Sequence, residues 1–279
     1  MKYSIAILLP TRGRTDALSR SVMSLINRAL DVEKLQLMLG FDDDDTIGIE
    51  HFQNELEPWL IEKKVNYEAI SFERMGYTRL NEYVNALARE SDADWLFFWN
   101  DDAMMDTAGW DRVIAKHTGE FKCLSVHTHN DHPYSIFPIV PREWLDLLGY
   151  LSPHQISDAW LSQQAYLLDI FERIPIWATH DRHDLTGNNG DDTYHQGGPS
   201  HQSEGDPSNP RDFHHITWHL RRMHDTDKLA EYLKGRGIPT WWDDVKSGKI
   251  KDPWIKLQEN DPNGQCKQFQ ITNRQMGAV

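Results

Sequence analysis

The first hundred residues alternate two kinds of segment, and that alternation restricts the fold more than any other feature. Tyr3 to Leu9, Leu35 to Phe41, Val65 to Phe72 and Trp95 to Trp99 are short apolar runs of strand length, largely free of Gly and Pro. Between them lie segments with apolar residues at helical spacing. Leu18, Val22, Leu25 and Ala29 follow Asp16, which is suited to cap a helix. Ile47 to Ile61 continues the pattern, with Pro58 as a break, and Thr78 to Arg89 places Leu80, Val84 and Leu87 on one face. Buried strands joined by helices imply an α/β fold: a mostly parallel sheet flanked by helices on both faces.

Ligands of open α/β sheets bind outside the carboxyl ends of the strands. Thr11, Arg14, Asp42 to Asp44, Arg74 and Asn100 to Asp102 all stand just after a strand and should share one edge. The most chemically pointed of these is the last. The run Asp94-Trp95-Leu96-Phe97-Phe98-Trp99-Asn100 stops at two adjacent carboxylates, Asp101 and Asp102. Two carboxylates side by side repel each other and gain little as structure. A hard divalent cation, Mg²⁺ or Mn²⁺, placed between them and an anionic ligand makes sense of the pair, and points to metal-assisted phosphate chemistry.

The alternation weakens after Asp106. Trp110 to Lys116 reads as a helix, Lys122 to Val126 and Ser135 to Val140 as strands, and Pro141 opens a helix that runs to Gly149. Ser157-Asp158 opens another, with Trp160, Gln164, Leu167 and Phe171 on one stripe. Arg173 to Thr179 is a strand ending in His180-Asp181-Arg182-His183-Asp184. From Asp184 to about Asp212 the chain is mostly Gly, Asn, Asp, Ser, His and Pro; a loop well beyond about 15 residues is functional or disordered, and a lid over the site is one such function. His214 to Gly235 returns to helix, and an irregular tail carries Trp241, Trp242 and Trp254. The expected division is a core over 1–183, a His- and Gly-rich loop over 184–213 and a C-terminal extension over 214–279.

The formal net charge of −14 argues against a general nucleic-acid binder, although His214 to His224 is locally basic and aromatic. No apolar run approaches the roughly 20 residues of a membrane helix. The N-terminal apolar stretch is too short for a secretion signal, and Cys123 and Cys266 lack metal-type spacing. A cytoplasmic setting without membrane partners is the expectation.

Four segments, in order, resemble the GT-A glycosyltransferases, close to the family 2-like superfamily. They are Ile7-Leu8-Leu9-Pro10-Thr11-Arg12-Gly13-Arg14, Gly40-Phe41-Asp42-Asp43-Asp44-Asp45-Thr46, Gly76-Tyr77-Thr78-Arg79-Leu80-Asn81 and Trp99-Asn100-Asp101-Asp102. The resemblance covers about residues 3 to 115 and is looser to about 180. It implies a metal-dependent hexosyl- or pentosyltransferase that moves a sugar from a nucleotide diphosphate sugar, with UDP-sugars first, to an acceptor hydroxyl. Thr11, Arg12 and Arg14 would then contact the nucleotide, as would Arg74 and Arg79. Asp42 or Asp43 would accept the base N–H. Asn100 stands first in the triplet where the family has its DxD motif, so charge falls on Asp101 and above all on Asp102, the expected metal ligand. A late His completes such sites, which points to His180, with His183 behind it. In inverting members an acidic residue placed like Asp158 deprotonates the acceptor, though Asp158 equally suits a helix cap. Asn81 reads as a helix-surface residue.

Two other classes fit the same residues less well. A sugar-phosphate nucleotidyltransferase would carry a Gly-rich, Lys-containing loop after the first strand, and Pro10 to Arg14 is not that. A non-catalytic metal- or carbohydrate-binding protein would use the 14 His and 11 Trp as binding groups. The acceptor stays open among small molecules, glycans, proteins and, as a minor option, a hydroxymethylated nucleobase of phage DNA.

Overall fold

The computed structural model describes residues 4–128, 134–181 and 208–250. His183, most of the 184–213 loop, Trp254, Cys266 and the tail from 251 lie outside the described residues. Period-two alternation sorts the apolar strands onto two faces of one sheet. Along β1 (Ile5–Thr11), Ile5, Ile7 and Leu9 join one core and Ala6 and Leu8 the other. β2 (Leu35–Asp42) and β4 (Trp95–Phe98) divide in the same way, and every residue of both is buried.

The sheet has eight strands in the order β3-β2-β1-β4-β7-β6-β8-β5. β3 is Asn66–Phe72, β5 Ala103–Met105, β6 Cys123–Thr128, β7 Pro138–Pro141 and β8 Phe171–His180. β1 pairs in parallel with β2 and β4, β2 with β3, and β6 with β8. β7 is antiparallel to both β4 and β6, and β5 is antiparallel to β8. β1, β2, β3, β4, β6 and β8 therefore point the same way, and their carboxyl ends share an edge.

Helices cover both faces. α1 (Thr15–Arg28), α2 (Thr46–His51), α3 (Glu57–Glu62) and α5 (Trp110–Ala115) pack on the side of Ile7 and Trp99. α4 (Leu80–Glu90), α6 (Arg142–Leu148), α7 (Ser157–Leu167), α8 (Ile216–Gly235) and α9 (Trp242–Lys246) pack on the side of Leu8 and Phe98. Gly40 is what lets α4 lie close to β2: a Cβ there would sit 3.1 Å from the Phe72 ring and 3.3 Å from Leu87.

Several local expectations are corrected. Asp16 does not cap α1; it sits in the first turn, and the cap position is Arg14. Between α2 and α3 the chain makes a π-helical turn, Phe52–Leu56, and Pro58 lies in the first turn of α3. Proline has no N–H to continue the earlier ladder, so the register changes before it. Pro141 ends β7 and forms the N-cap of α6, one residue earlier than a first-turn place. Phe171 starts β8 rather than extending the stripe of α7, nine of whose eleven residues are buried. Asn81 is buried, not on the surface, and donates to the Ser152 carbonyl at 3.4 Å.

One buried hydroxyl fixes how the edge begins. Ser21, on α1 and fully buried, accepts the indole N–H of Trp99 at 2.8 Å and donates to the carbonyl of Asn100 at 3.0 Å. Removing it in Ser21→Ala orphans the buried indole N–H of Trp99 and leaves the Asn100 carbonyl with only the Ala103 amide, at 3.2 Å. The expected cost is about 1–3 kcal/mol, read from urea unfolding of the variant.

The second face contains a knot of buried polar rings. Arg222 of α8 is 1% exposed, lies 4.1 Å from the Phe213 ring centre and 5.1 Å from that of Trp160, and donates to the Phe213 carbonyl at 2.8 Å. Burial pushes the neighbouring His154 and His219 down to about 4, from an ordinary 6.5. The folded state therefore refuses protons that the unfolded chain accepts below 6.5. Stability contributed by these neutral rings is full above pH 6.5 and is lost as pH falls toward 4. The urea midpoint should fall across that window, with a shallower slope in His219→Leu; an unchanged slope would contradict this assignment.

Candidate active site

After β4 the chain turns through Asn100, Asp101 and Asp102 and reverses into β5. Asp101 points inward and is 1% exposed. Thr11, at the end of β1, donates to its Oδ2 at 2.7 Å, and the Arg14 guanidinium lies 2.5 Å from its Oδ1. Arg14 also donates to Asp102 Oδ2 at 3.2 Å. His180, the last residue of β8, brings Nε2 to 3.2 Å from Asp102 Oδ1 and 3.5 Å from Asn100 Nδ2. Its ring stands edge-on to Phe137, with centres 5.1 Å apart.

Backbone pairing sets this geometry. Ala103 pairs with His180 across the β5–β8 ladder, and the Asp181 N–H donates to the Asp102 carbonyl at 2.8 Å. The two carboxylates are pushed apart in acidity. Burial, helped by the Asp102 charge, raises Asp101. Burial also acts to raise Asp102, but His180 and Arg14 outweigh it and hold that carboxyl below its ordinary value. Asp102 is thus the more acidic of the two carboxylates.

A second group occupies the ends of β2 and β3. Asp42 is buried, and Arg12 donates to its Oδ2 at 2.9 Å. The same guanidinium pairs with Asp44, holding that carboxyl below the usual range, and Arg74 reaches Asp44 at 3.3 Å. Tyr83, from α4, donates to Asp42 Oδ1 and accepts from the amides of Met75 at 2.7 Å and Gly76 at 3.1 Å. Burial and that bond to Asp42 raise the phenol pKa. Asp43 is exposed. Asp45 ties the β1 and β2 turns together, accepting from Gly13 N at 2.8 Å and from Gly48 N at 3.1 Å as the cap of α2. A Cβ on Gly48 would fall 2.2 Å from Asp45, so that position needs glycine.

Thr11, Arg14, Asn100, Asp101, Asp102 and His180 form one cluster; Arg12, Asp42 and Arg74 adjoin it along the edge. Arg79 lies apart in an exposed pair with Glu82 at 2.5 Å. Asp158, in the first turn of α7, accepts from the next amide, Ala159 N, at 2.8 Å. Sequence reasoning missed Tyr83, Ser21 and Asp45. A buried Tyr hydroxyl needs a partner, which was the available signal for Tyr83.

The donor set suits a divalent cation. Asp102 Oδ1 and His180 Nε2 stand 3.2 Å apart, close to the roughly 3 Å between adjacent ligands of an octahedral ion with bonds of about 2.1 Å, and His180 Nδ1 is buried without a hydrogen bond. A separate His/Glu cluster has the donor types to hold a divalent ion: His117, Glu120 and Glu172 each bring a ligand atom within 4.8 Å of the others. It lies where β6 and β8 begin, at the opposite edge, and Lys122 already pairs with Glu172 and, at 3.8 Å, with Glu120.

No protein-family model matches the chain, and no curated protein matches it in sequence. Solved structures match it in shape. The mannosyltransferase PcManGT from Pyrobaculum calidifontis, in complex with GDP-Man and Mn²⁺, aligns with a TM-score of 0.56 at 10% identity over 93% of this chain and 80% of that one. The fold is GT-A. GalNAc-T7 with UDP, GalNAc and Mn²⁺ aligns at a TM-score of 0.51 and 12% identity, over 64% of this chain and 44% of that one. S. aureus TarS 1-349 in complex with UDP aligns at 0.49 and 13% identity, over 63% of this chain and 60% of that one. This chain therefore spans less than two thirds of the TarS fragment. At 10% and 12% identity, what the chain shares with PcManGT and GalNAc-T7 is the fold. No helix among the described residues is long and apolar enough to cross a membrane.

Arg14 is the cation that balances the strand-end pair in this GT-A sheet. Arg14→Ala leaves two adjacent carboxylates in a buried place. The expected loss is about 3 kcal/mol, the low end for a broken buried pair because Arg14 is partly exposed, measured by urea unfolding at pH 7.

Proposed function

We propose that this protein is a metal-dependent glycosyltransferase that moves a sugar from a nucleotide diphosphate sugar, with UDP-sugars first, to an acceptor hydroxyl. The observation that carries the reading is the meeting of Asp102 and His180 at 3.2 Å on the carboxyl edge of a GT-A sheet. Support also comes from the ligands of the similar structures, which hold GDP-Man or UDP with Mn²⁺. In this reading Asp102 and His180 hold Mn²⁺ or Mg²⁺, with Asp101 behind them. The bound ion would neutralise the diphosphate and stabilise it as a leaving group. Thr11, Arg12, Arg14 and Arg74 receive the nucleotide, with Arg79 at the margin. Asp42, steadied by Arg12 and Tyr83, accepts the base N–H, with Asp43 as the alternative. Asn100 hydrogen-bonds the ribose or sugar, and Asp158 takes the proton of the acceptor hydroxyl.

The divided acidities fit these roles. A carboxylate held ionised beside an imidazole suits a metal ligand, and Arg14 offsets the charge of its neighbour Asp101. A panel of nucleotide sugars, read by nucleotide release and thermal shift with and without Mn²⁺, tests the proposal. Release should depend on the ion. Asp102→Ala should abolish turnover, at least about a hundredfold on the scale of lost electrostatic stabilisation, whereas Asn100→Ala should mainly weaken donor binding. Ion-independent release, or normal turnover in both variants, would defeat the reading.

A further inference from the structure

β8 presents a second surface on the face away from His180. Ile174, Ile176 and Ala178 are buried on the face that His180 shares, while Pro175 and Trp177 on the other are exposed and Thr179 is half-buried. Trp177 is 53% exposed, the most exposed tryptophan among the described residues. It is nonetheless held in place. His127, its register partner on β6, stacks on the indole with ring centres 4.5 Å apart and planes 18° from parallel. The pairing follows an irregularity between Ser125 and His127 that re-aims the β6 side chain. The Trp177 amide donates to Thr107 Oγ1 at 2.7 Å, and its carbonyl accepts from Asp106 N at 3.0 Å. Beside the ring, Thr179 Oγ1 donates to Asp106 Oδ2 at 2.9 Å.

An indole braced flat by another ring and half exposed is preorganised to stack on a flat apolar partner. The apolar ring, with the Thr179 hydroxyl and its Asp106 carboxylate two strand positions along the same face, matches the two surfaces of a pyranose. The axial C–H face stacks on the ring, and the equatorial hydroxyls donate to the carboxylate. A polyanion fits poorly, since the acidic Asp106 is bonded to Thr179 on the same face and the chain carries a net charge of −14. Along the strand, Trp177 precedes His180 by three positions, about 10 Å, on the opposite face and toward the same carboxyl edge.

We infer that Trp177, His127 and Asp106 form the platform for a pyranose ring of the acceptor, so that the acceptor is itself a glycoside. This rests on the transferase reading above, and the test separates the two. Saturation-transfer NMR on the full chain, without any donor, would use cellobiose, maltose and N,N′-diacetylchitobiose as probes. Isothermal titration of the same samples with UDP and Mn²⁺ reports the donor site independently. The expected result is saturation of ring C–H protons of at least one disaccharide. That signal should be lost in Trp177→Ala and its affinity lowered about tenfold in Asp106→Asn, about 1.4 kcal/mol, with UDP binding unchanged in both. Trp177 is half exposed, so its truncation leaves the core intact, which circular dichroism checks. If no disaccharide saturates, or Trp177→Ala saturates like the parent, the platform is overturned whatever UDP does. If disaccharides bind at Trp177 while UDP does not bind, the transferase reading falls and the acceptor role with it. A Trp177-dependent gel shift of hydroxymethylated duplex DNA would overturn the sugar assignment.

Discussion

Two neighbouring carboxylates withdrawn from water must be compensated, and most of what defines this protein's working edge follows from that requirement. Asp101 and Asp102 come from consecutive positions, so neither can move away from the other. Isolated charges buried in this way cost several kcal/mol each. The compensation arrives from three separate elements: Thr11 from the end of β1, Arg14 from the turn into α1, and His180 from the end of β8. Each of those elements is held where it is by the apolar packing of the sheet. The core therefore serves the charges as much as the charges mark the site.

The same logic extends sideways along the edge. Arg12 lies between Asp42 and Asp44, and Arg74 reaches Asp44 from the far side. Acidic and basic groups alternate, so an overall acidic chain presents donors as well as acceptors at its ligand-facing rim. Tyr83 binds Asp42 and at the same time receives the amides of Met75 and Gly76. The loop after β3 is thereby coupled to the carboxylate after β2. A ligand that engaged Asp42 would meet a group whose direction is already fixed, which lowers the ordering cost of binding.

Much of this was legible in the chain itself. Period-two burial and helical spacing located the first four strands and the helices between them, because those patterns are local. The rule that ligands bind at carboxyl ends placed Thr11, Asp42 and Asp101 together without knowledge of any distance. Other features depended on contacts between residues far apart in sequence. No periodicity reveals that Arg14 faces Asp101 and Asp102, that Ser21 bridges Trp99 and Asn100, or that Asn81 turns inward to Ser152. The insertion of β7 between β4 and β6, and of β8 before β5, is likewise a matter of sheet order. Pro58 announced an irregularity but not its form: the chain absorbed it as a wider helical turn one step earlier.

The pairing of β5 with β8 has a consequence for how the site comes into being. Asn100 and His180 are separated by 80 positions, yet the strand that leaves the carboxylates is the one that docks the histidine's strand. Contacts of such long sequence separation are slow to form, because a long loop must close before they are rewarded. A nascent chain released from the ribosome only as far as β5 would own the acidic turn but not its imidazole. The chemistry of the edge is therefore completed by one of the last strands to be synthesised, after the parallel half of the sheet has had time to assemble.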